Sequence, residues 1–199
     1  MEGAWRERAK QHLTDSAETK RLIAKECLDE ILAAAHMIAQ ALRAGGKVML
    51  CGNGGSAADS QHIAAEFTNR LSADFERPAL SALALTTDTS FLTSNANDYG
   101  FEYVFERQVE ALGRQGDVLI AISTSGKSQN VVRAVQLCQK RGIKTIGMIG
   151  AGGGTLRNLV DVVIMVPSKN TQYIQEGHIA IGHIICDLVE QQLFGSASE

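Results

Sequence analysis

Lys47–Arg70 reads KVMLCGNGGSAADSQHIAAEFTNR, which divides into a strand, a glycine turn and a helix. Lys47–Cys51 is a short apolar run closed by glycine, the pattern of a strand buried on both faces. Gly52-Asn53-Gly54-Gly55 reaches positive φ at little cost, so the backbone turns tightly there and lets a ligand approach. Ser56 is the expected N-cap of an alanine-rich helix running to about Leu71. The start of such a helix attracts anions, because its free N–H groups and its dipole favour negative charge. His62 and Glu66 lie one helical turn apart, so they share a face and can meet one substrate or metal.

Upstream, no proline or glycine interrupts residues 4–44, and Leu22, Ile23, Cys27, Ile31, Ala34, Ile38 and Leu42 recur at helical spacing. The Thr14-Asp15-Ser16 cluster offers a cap, which predicts two helices divided near it. This segment (1–44) precedes the first strand and serves no strand crossover, so it is expected to pack against another subunit or over the sheet. Downstream, strands are predicted at 79–85, 117–122, 144–149 and 162–166, and a helix at 56–71 precedes the first of them. A short helix follows Thr86–Thr89, Asn95–Gly100 reads as a polar turn, and further helices are expected at 102–112, 129–141 and 171–194. Five apolar strands alternating with helices give an α/β fold, a parallel sheet with helices on both faces across 45–199. At 199 residues a single domain is expected, with only 195–199 frayed.

Hydrophobic residues make up 45% of the chain and charged residues 21%, and the net charge is −3. That is an ordinary soluble composition, and without a basic block no nucleic-acid partner is expected. The N-terminus is charged throughout, unlike a signal peptide, and no apolar window has the length of a membrane span. The four cysteines form no C-x-x-C pair, which predicts buried, reduced thiols. A cytoplasmic protein is the expectation.

In a doubly wound sheet, ligands bind outside the carboxyl ends of the strands. Ser123-Thr124-Ser125-Gly126-Lys127-Ser128 falls there, joining four hydroxyls, a glycine and a helix start into a nest suited to a phosphate monoester. Two fingerprints match only in part. Gly52–Ala57 fits G-x-G-x-x-A with Asp88 as the ribose acid, but the long leading helices and the spacing to Asp88 argue against a dinucleotide site. Ala121–Ser128 fits a Walker A loop with alanine for its first glycine, and no Walker B acid accompanies it. The last helix carries Gln175, Glu176, His178 and His183 among five isoleucines. Polar side chains in so apolar a helix need partners. His178 and His183 point to different faces. Two histidines and a carboxylate suit either zinc or general acid–base chemistry, a choice the residues leave open.

GNGGSAADSQHIAAEF, ALTTDTSFLTSNANDYGFE, DVLIAISTSGKSQNV and IQEGHIAIGHIICDLVE, in this order, resemble the bacterial phosphoheptose isomerases of the sugar isomerase (SIS) superfamily. The resemblance spans nearly the whole chain. It implies a flavodoxin-like five-stranded sheet and a homotetramer with active sites between subunits. It further implies interconversion of sedoheptulose 7-phosphate and D-glycero-D-manno-heptose 7-phosphate through an enediol, the entry to lipopolysaccharide heptose. By the same resemblance, Ser123, Thr124, Ser125 and Ser128 hold phosphate, and Asn53, Gly54, Gly55, Asn97, Asp98 and Gln175 contact the sugar. His62, Glu66, Gln175 and His183 hold one zinc per subunit, with Glu66 and His183 as base and acid. A replication-initiator-associating relative on the same scaffold offers a non-catalytic alternative, as does a sugar-phosphate-sensing regulator. Glu66 and His183 favour the enzyme over both.

Overall fold

The computed structural model describes residues 1–195. In chain order it contains α1 (Glu2–Glu26), α2 (Leu28–Arg43), β1 (Val48–Cys51), α3 (Gly55–Thr68), β2 (Ala82–Ala84) and α4 (Thr89–Asp98). After a 3-10 turn at Phe101–Tyr103 come α5 (Val104–Leu112), β3 (Val118–Ser123), α6 (Gln129–Arg141) and β4 (Lys144–Gly150). A second 3-10 turn at Leu156–Asn158 leads to β5 (Val162–Val166) and α7 (Thr171–Phe194). The strands form one all-parallel sheet of order β2-β1-β3-β4-β5, the flavodoxin-like order.

Side-chain alternation along each strand sorts the apolar residues into two layers. Val48, Leu50, Val118 and Ile120 pack with Ile31, Ile38, Ile63, Phe67, Ile181 and Ile185 from α2, α3 and α7. Met49, Cys51, Leu119 and Ala121 face the other way, onto Val104, Phe105, Val131 and Val135 from α5 and α6. All four cysteines are free and buried, and burial pushes the Cys138 thiol up to about 12 and the Cys27 thiol up to about 11. Among the described residues, no helix is long and apolar enough to cross a membrane.

Four local expectations are corrected. The break between the leading helices falls at Cys27, not at Thr14–Ser16. Thr14 and Thr19 spend their hydroxyls on the carbonyls one turn back (Lys10, 2.9 Å; Asp15, 3.0 Å), and Ser16 donates across to Glu176, so none is free to cap. The cap of α3 is Gly54 at φ 55°, with Ser56 already inside the first turn. β2 is shorter than 79–85, because the Leu80 amide donates to the Phe67 carbonyl (3.1 Å) instead of joining the sheet. Asn95–Asp98 is the last turn of α4, whose N-terminus is capped by the Asp88 carboxylate accepting from the Phe91 amide (2.9 Å). Asp88 is thereby a helix cap rather than a ribose ligand. The frayed end expected at 195–199 lies, beyond Gly195, outside the described residues.

Candidate active site

β1 and β3 are neighbours whose crossovers leave in opposite directions, so a crevice opens beyond Cys51 and Ser123. Two asparagines bridge it: Asn53 and Asn130 exchange amide hydrogen bonds of 2.9 and 2.8 Å. The loop after β3 folds on itself, with the Ser123 and Ser128 hydroxyls 3.0 Å apart and the Lys127 amide donating to Ser125 Oγ at 3.2 Å. Gly126 turns it at φ 64°, where a side chain would strike the Gly153 carbonyl, so the loop is wedged against the turn after β4. A cavity of about 600 Å³ opens on one side, lined by Asn53, Glu102, Ser128, Asn130 and Arg133. Another of about 300 Å³ opens on the other, lined by Thr124, Ser125, Lys127, Ser168 and Lys169. The loop therefore presents hydroxyls and Lys127 beside Lys169 from the turn after β5, an arrangement that accepts an anion.

α3 and α7 lie side by side and run parallel. Gly55 meets Gln175, Ile63 meets Gly182, and the Leu71 amide donates to Glu190 (3.2 Å), so contacts advance together along both. His62 and His183, 121 residues apart in sequence, meet through their Nε2 atoms at 2.8 Å, and Glu66 Oε1 lies 3.2 Å from His62 Nε2. One ligand atom from each of the three falls within 4.8 Å of the others, the one such group of His, Cys, Asp and Glu among the described residues. Two imidazoles and a carboxylate converging on a point suit a zinc ion, and suit proton transfer equally well.

Gln175, which the resemblance sets with these three at the metal, stands apart from the trio. The Gln175 amide rests against Gly55, at the first turn of α3, while His183 lies two turns further along α7. Asn97 and Asp98 are exposed on α4 and hydrogen-bonded to each other (2.9 Å). His178 turns into the core beside the Ile149 backbone, with neither ring nitrogen in hydrogen-bonding geometry, and burial pulls its pKa down to about 4.

The structure adds residues that the sequence reading missed. Asp59 stands one turn before His62, and burial pushes its carboxyl up to about 6 against the opposing pull of His62. The i, i+3, i+7 spacing of Asp59, His62 and Glu66 is the signal that could have found it. His12 of α1 reaches Glu176 at 3.0 Å. The Ser16 hydroxyl and His12 hold the Glu176 carboxyl below the ordinary range despite its partial burial. Arg77 is buried at the end of α3, donating to the Glu66 (2.7 Å) and Phe67 (2.8 Å) carbonyls while pairing with Glu190 at 2.7 Å. Nothing in the spacing of Arg77 and Glu190 announced that pair.

Residues 11–150 match the model of the SIS domain family. A phosphoheptose isomerase of Clostridium acetobutylicum is 51% identical over 185 residues, covering 92% of this chain and 93% of that one. One from Burkholderia pseudomallei is 52% identical over 190 residues, covering 92% and 95%. The solved phosphoheptose isomerase of Neisseria gonorrhoeae superposes with a TM-score of 0.89 at 44% identity, covering 94% of this chain and 99% of that one. Half-identity over nearly the full length of these relatives, on the same five-stranded sheet, places the chain in the SIS domain family, among the phosphoheptose isomerases.

Proposed function

We propose that the protein is an aldose–ketose isomerase that interconverts sedoheptulose 7-phosphate and D-glycero-D-manno-heptose 7-phosphate. One observation carries the chemistry: a carboxylate on α3 and an imidazole on α7 meet around His62. Such an isomerase moves a proton between C1 and C2 through an enediol. That requires a base at carbon and a proton carrier at the two oxygens. Glu66 takes the proton from one carbon and returns it to the other, and His183 moves the proton between the sugar oxygens. Oε1 of Glu66 is engaged by His62, and its second oxygen makes no hydrogen bond among the described residues, which leaves it open toward substrate. The hydroxyls of Ser123, Thr124, Ser125 and Ser128, with Asn53, Gly54 and Gly55, seat the phosphate end and orient the sugar.

The donor set of His62, Glu66 and His183 fits a zinc ion, one per subunit; the resemblance adds Gln175, whose amide would have to turn from Gly55 toward the trio to serve as a further oxygen donor. When bound, the ion supplies Lewis-acid stabilisation of the enediolate oxygen. Assembly follows from α1, whose first ten residues, Glu2–Gln11, are all exposed, Trp5 among them. An isolated helix of that length is marginal in water. We infer that it packs on sister subunits in a homotetramer, residues 1–199 forming one SIS unit, and that Asn97 and Asp98 serve a neighbouring site. A cytoplasmic enzyme supplying lipopolysaccharide heptose is consistent with this reading, which the non-catalytic alternative does not match because Glu66 and His183 are retained.

The test is to incubate the protein with sedoheptulose 7-phosphate, with and without chelator, and to follow aldoheptose 7-phosphate by NMR. Product formation that chelator abolishes and zinc restores is expected. Binding of the sugar phosphate without product under either condition returns the protein to the non-catalytic reading.

A further inference from the structure

Between the anion-binding loop and the trio, one carboxylate is left without a partner. Asp59 is only 7% exposed, and its Oδ2 finds no hydrogen-bond donor in the protein. It lines a cavity of about 360 Å³ between α1, α3 and α7, together with His12, Gln172, Gln175, Glu176 and Ile179. A buried carboxylate oxygen without a donor costs folding free energy, so its retention calls for a ligand that supplies the donor.

The character of that ligand follows from the rest of the cavity. Glu176 is already satisfied by Ser16 and His12. The donors of Asp59, Glu176 and His12 do not converge as a metal-holding group, since the one such group among the described residues is His62, Glu66 and His183. A cation is therefore poorly served, and a neutral O–H donor is well served. Position supplies the second constraint. On α3, Asp59 sits one turn after Gly55, where the anion seat begins, and one turn before His62, so it stands ~5 Å along the axis from either. A sugar phosphate stretched from the anion seat to the trio carries its hydroxyl-bearing carbons past this point.

Resting on the isomerase reading above, we propose that Asp59 is a substrate-binding residue whose carboxylate accepts hydrogen bonds from the mid-chain hydroxyls of the acyclic sugar phosphate. It is a specificity device, because it rewards a polyol chain between phosphate and carbonyl and penalises a shorter or deoxygenated one. The same residue is a structural liability when the site is empty, and that pairing gives the test its sign.

The experiment compares wild type with Asp59→Asn and Asp59→Ala, measuring kcat and KM on sedoheptulose 7-phosphate, inorganic phosphate binding by calorimetry, and melting temperature. The expected result for Asp59→Ala is a KM raised roughly 10- to 100-fold, the weight of one or two hydrogen bonds to a charged group. Phosphate affinity should stay unchanged and the melting temperature should rise, since an unpaired buried carboxylate is gone. A second arm needs no variant of uncertain folding. Analogues each lacking one mid-chain hydroxyl should include one that binds wild type weaker by a similar factor, with no further loss in Asp59→Ala. An unchanged KM, or a lowered melting temperature with every analogue bound like the parent, assigns Asp59 to packing and overturns the proposal. Loss of a bound metal from Asp59→Asn in place of sugar affinity overturns it in favour of a cation. A wild-type chain that fails to bind the sugar phosphate at all overturns the isomerase reading and this assignment with it, whereas active wild type with an indifferent Asp59 overturns this assignment alone.

Discussion

His62, Glu66 and His183 were legible as residues, because a polar side chain at helical spacing in an apolar helix advertises that something must satisfy it. Glu66→Gln tests the assignment. The amide keeps the shape but cannot take a proton, so kcat should fall by roughly two to four orders of magnitude, the range of general acid–base catalysis, with KM within a few-fold. Retained turnover removes Glu66 from the base role. The same signal left His178 without a role, and it is as polar and as deeply set in α7 as any candidate yet faces the sheet with no partner. Only packing tells the two histidines apart. His178 carries its own prediction. Its folded-state pKa is depressed to about 4 by burial, so the neutral ring is the folded form. Its contribution is therefore intact above the ordinary histidine value near 6.5 and is lost as pH falls from there toward 4, on the order of 3 kcal/mol at ~1.4 kcal/mol per pH unit. Denaturant melts from pH 7 to pH 4 should show that slope in wild type and a shallower one in His178→Met.

At the scale of elements, all five strands were readable from short apolar runs, and α6 and α7 from helical periodicity closed by glycine. The misplaced features were ends and breaks. There a single side chain's choice of partner decides, as when Ser16 turns to Glu176 or Leu80 turns to Phe67. What holds the site is the register of α3 against α7. Gly182 lets Ile63 close in, for a Cβ there would lie 2.6 Å from the Ile63 Cδ1 atom. Beyond it, the buried Arg77–Glu190 pair ties the end of α3 to α7. Glu190→Leu leaves the Arg77 guanidinium buried and unpaired, which should cost about 3–5 kcal/mol of stability by chemical denaturation. The Arg77→Met, Glu190→Leu double variant should recover much of that loss, and additive losses would show that the two residues act separately. Gly182→Val should part the helices and weaken zinc binding, measured by chelator competition, before it abolishes folding. Unaltered affinity would show that the trio tolerates a shifted register.

For the whole molecule, the sheet order puts the β1–β3 crevice, the loop after β3 and the parallel helix pair on one side, which is why residues as distant as Asn53 and Asn130 share a site. Sequence pattern gave the strand count and the crevice rule. It did not reveal the reach of α1, because His12 meets Glu176 from the far end of the chain. Deleting residues 2–11 removes the exposed arm while sparing His12, and should yield a species of lower mass by sedimentation. An unchanged mass would place assembly elsewhere. The arm has a wider consequence. α1 brings His12 to the wall of the Asp59 cavity, so if α1 packs on sister subunits and the cavity takes the sugar, as proposed above, one helix borders both. Occupancy and association are then thermodynamically linked, and whatever factor one lends the other is returned in equal measure. Under dilution the subunits should part sooner without sugar phosphate than with it, which makes the enzyme's apparent affinity a function of its own abundance and its substrate a glue for its quaternary state.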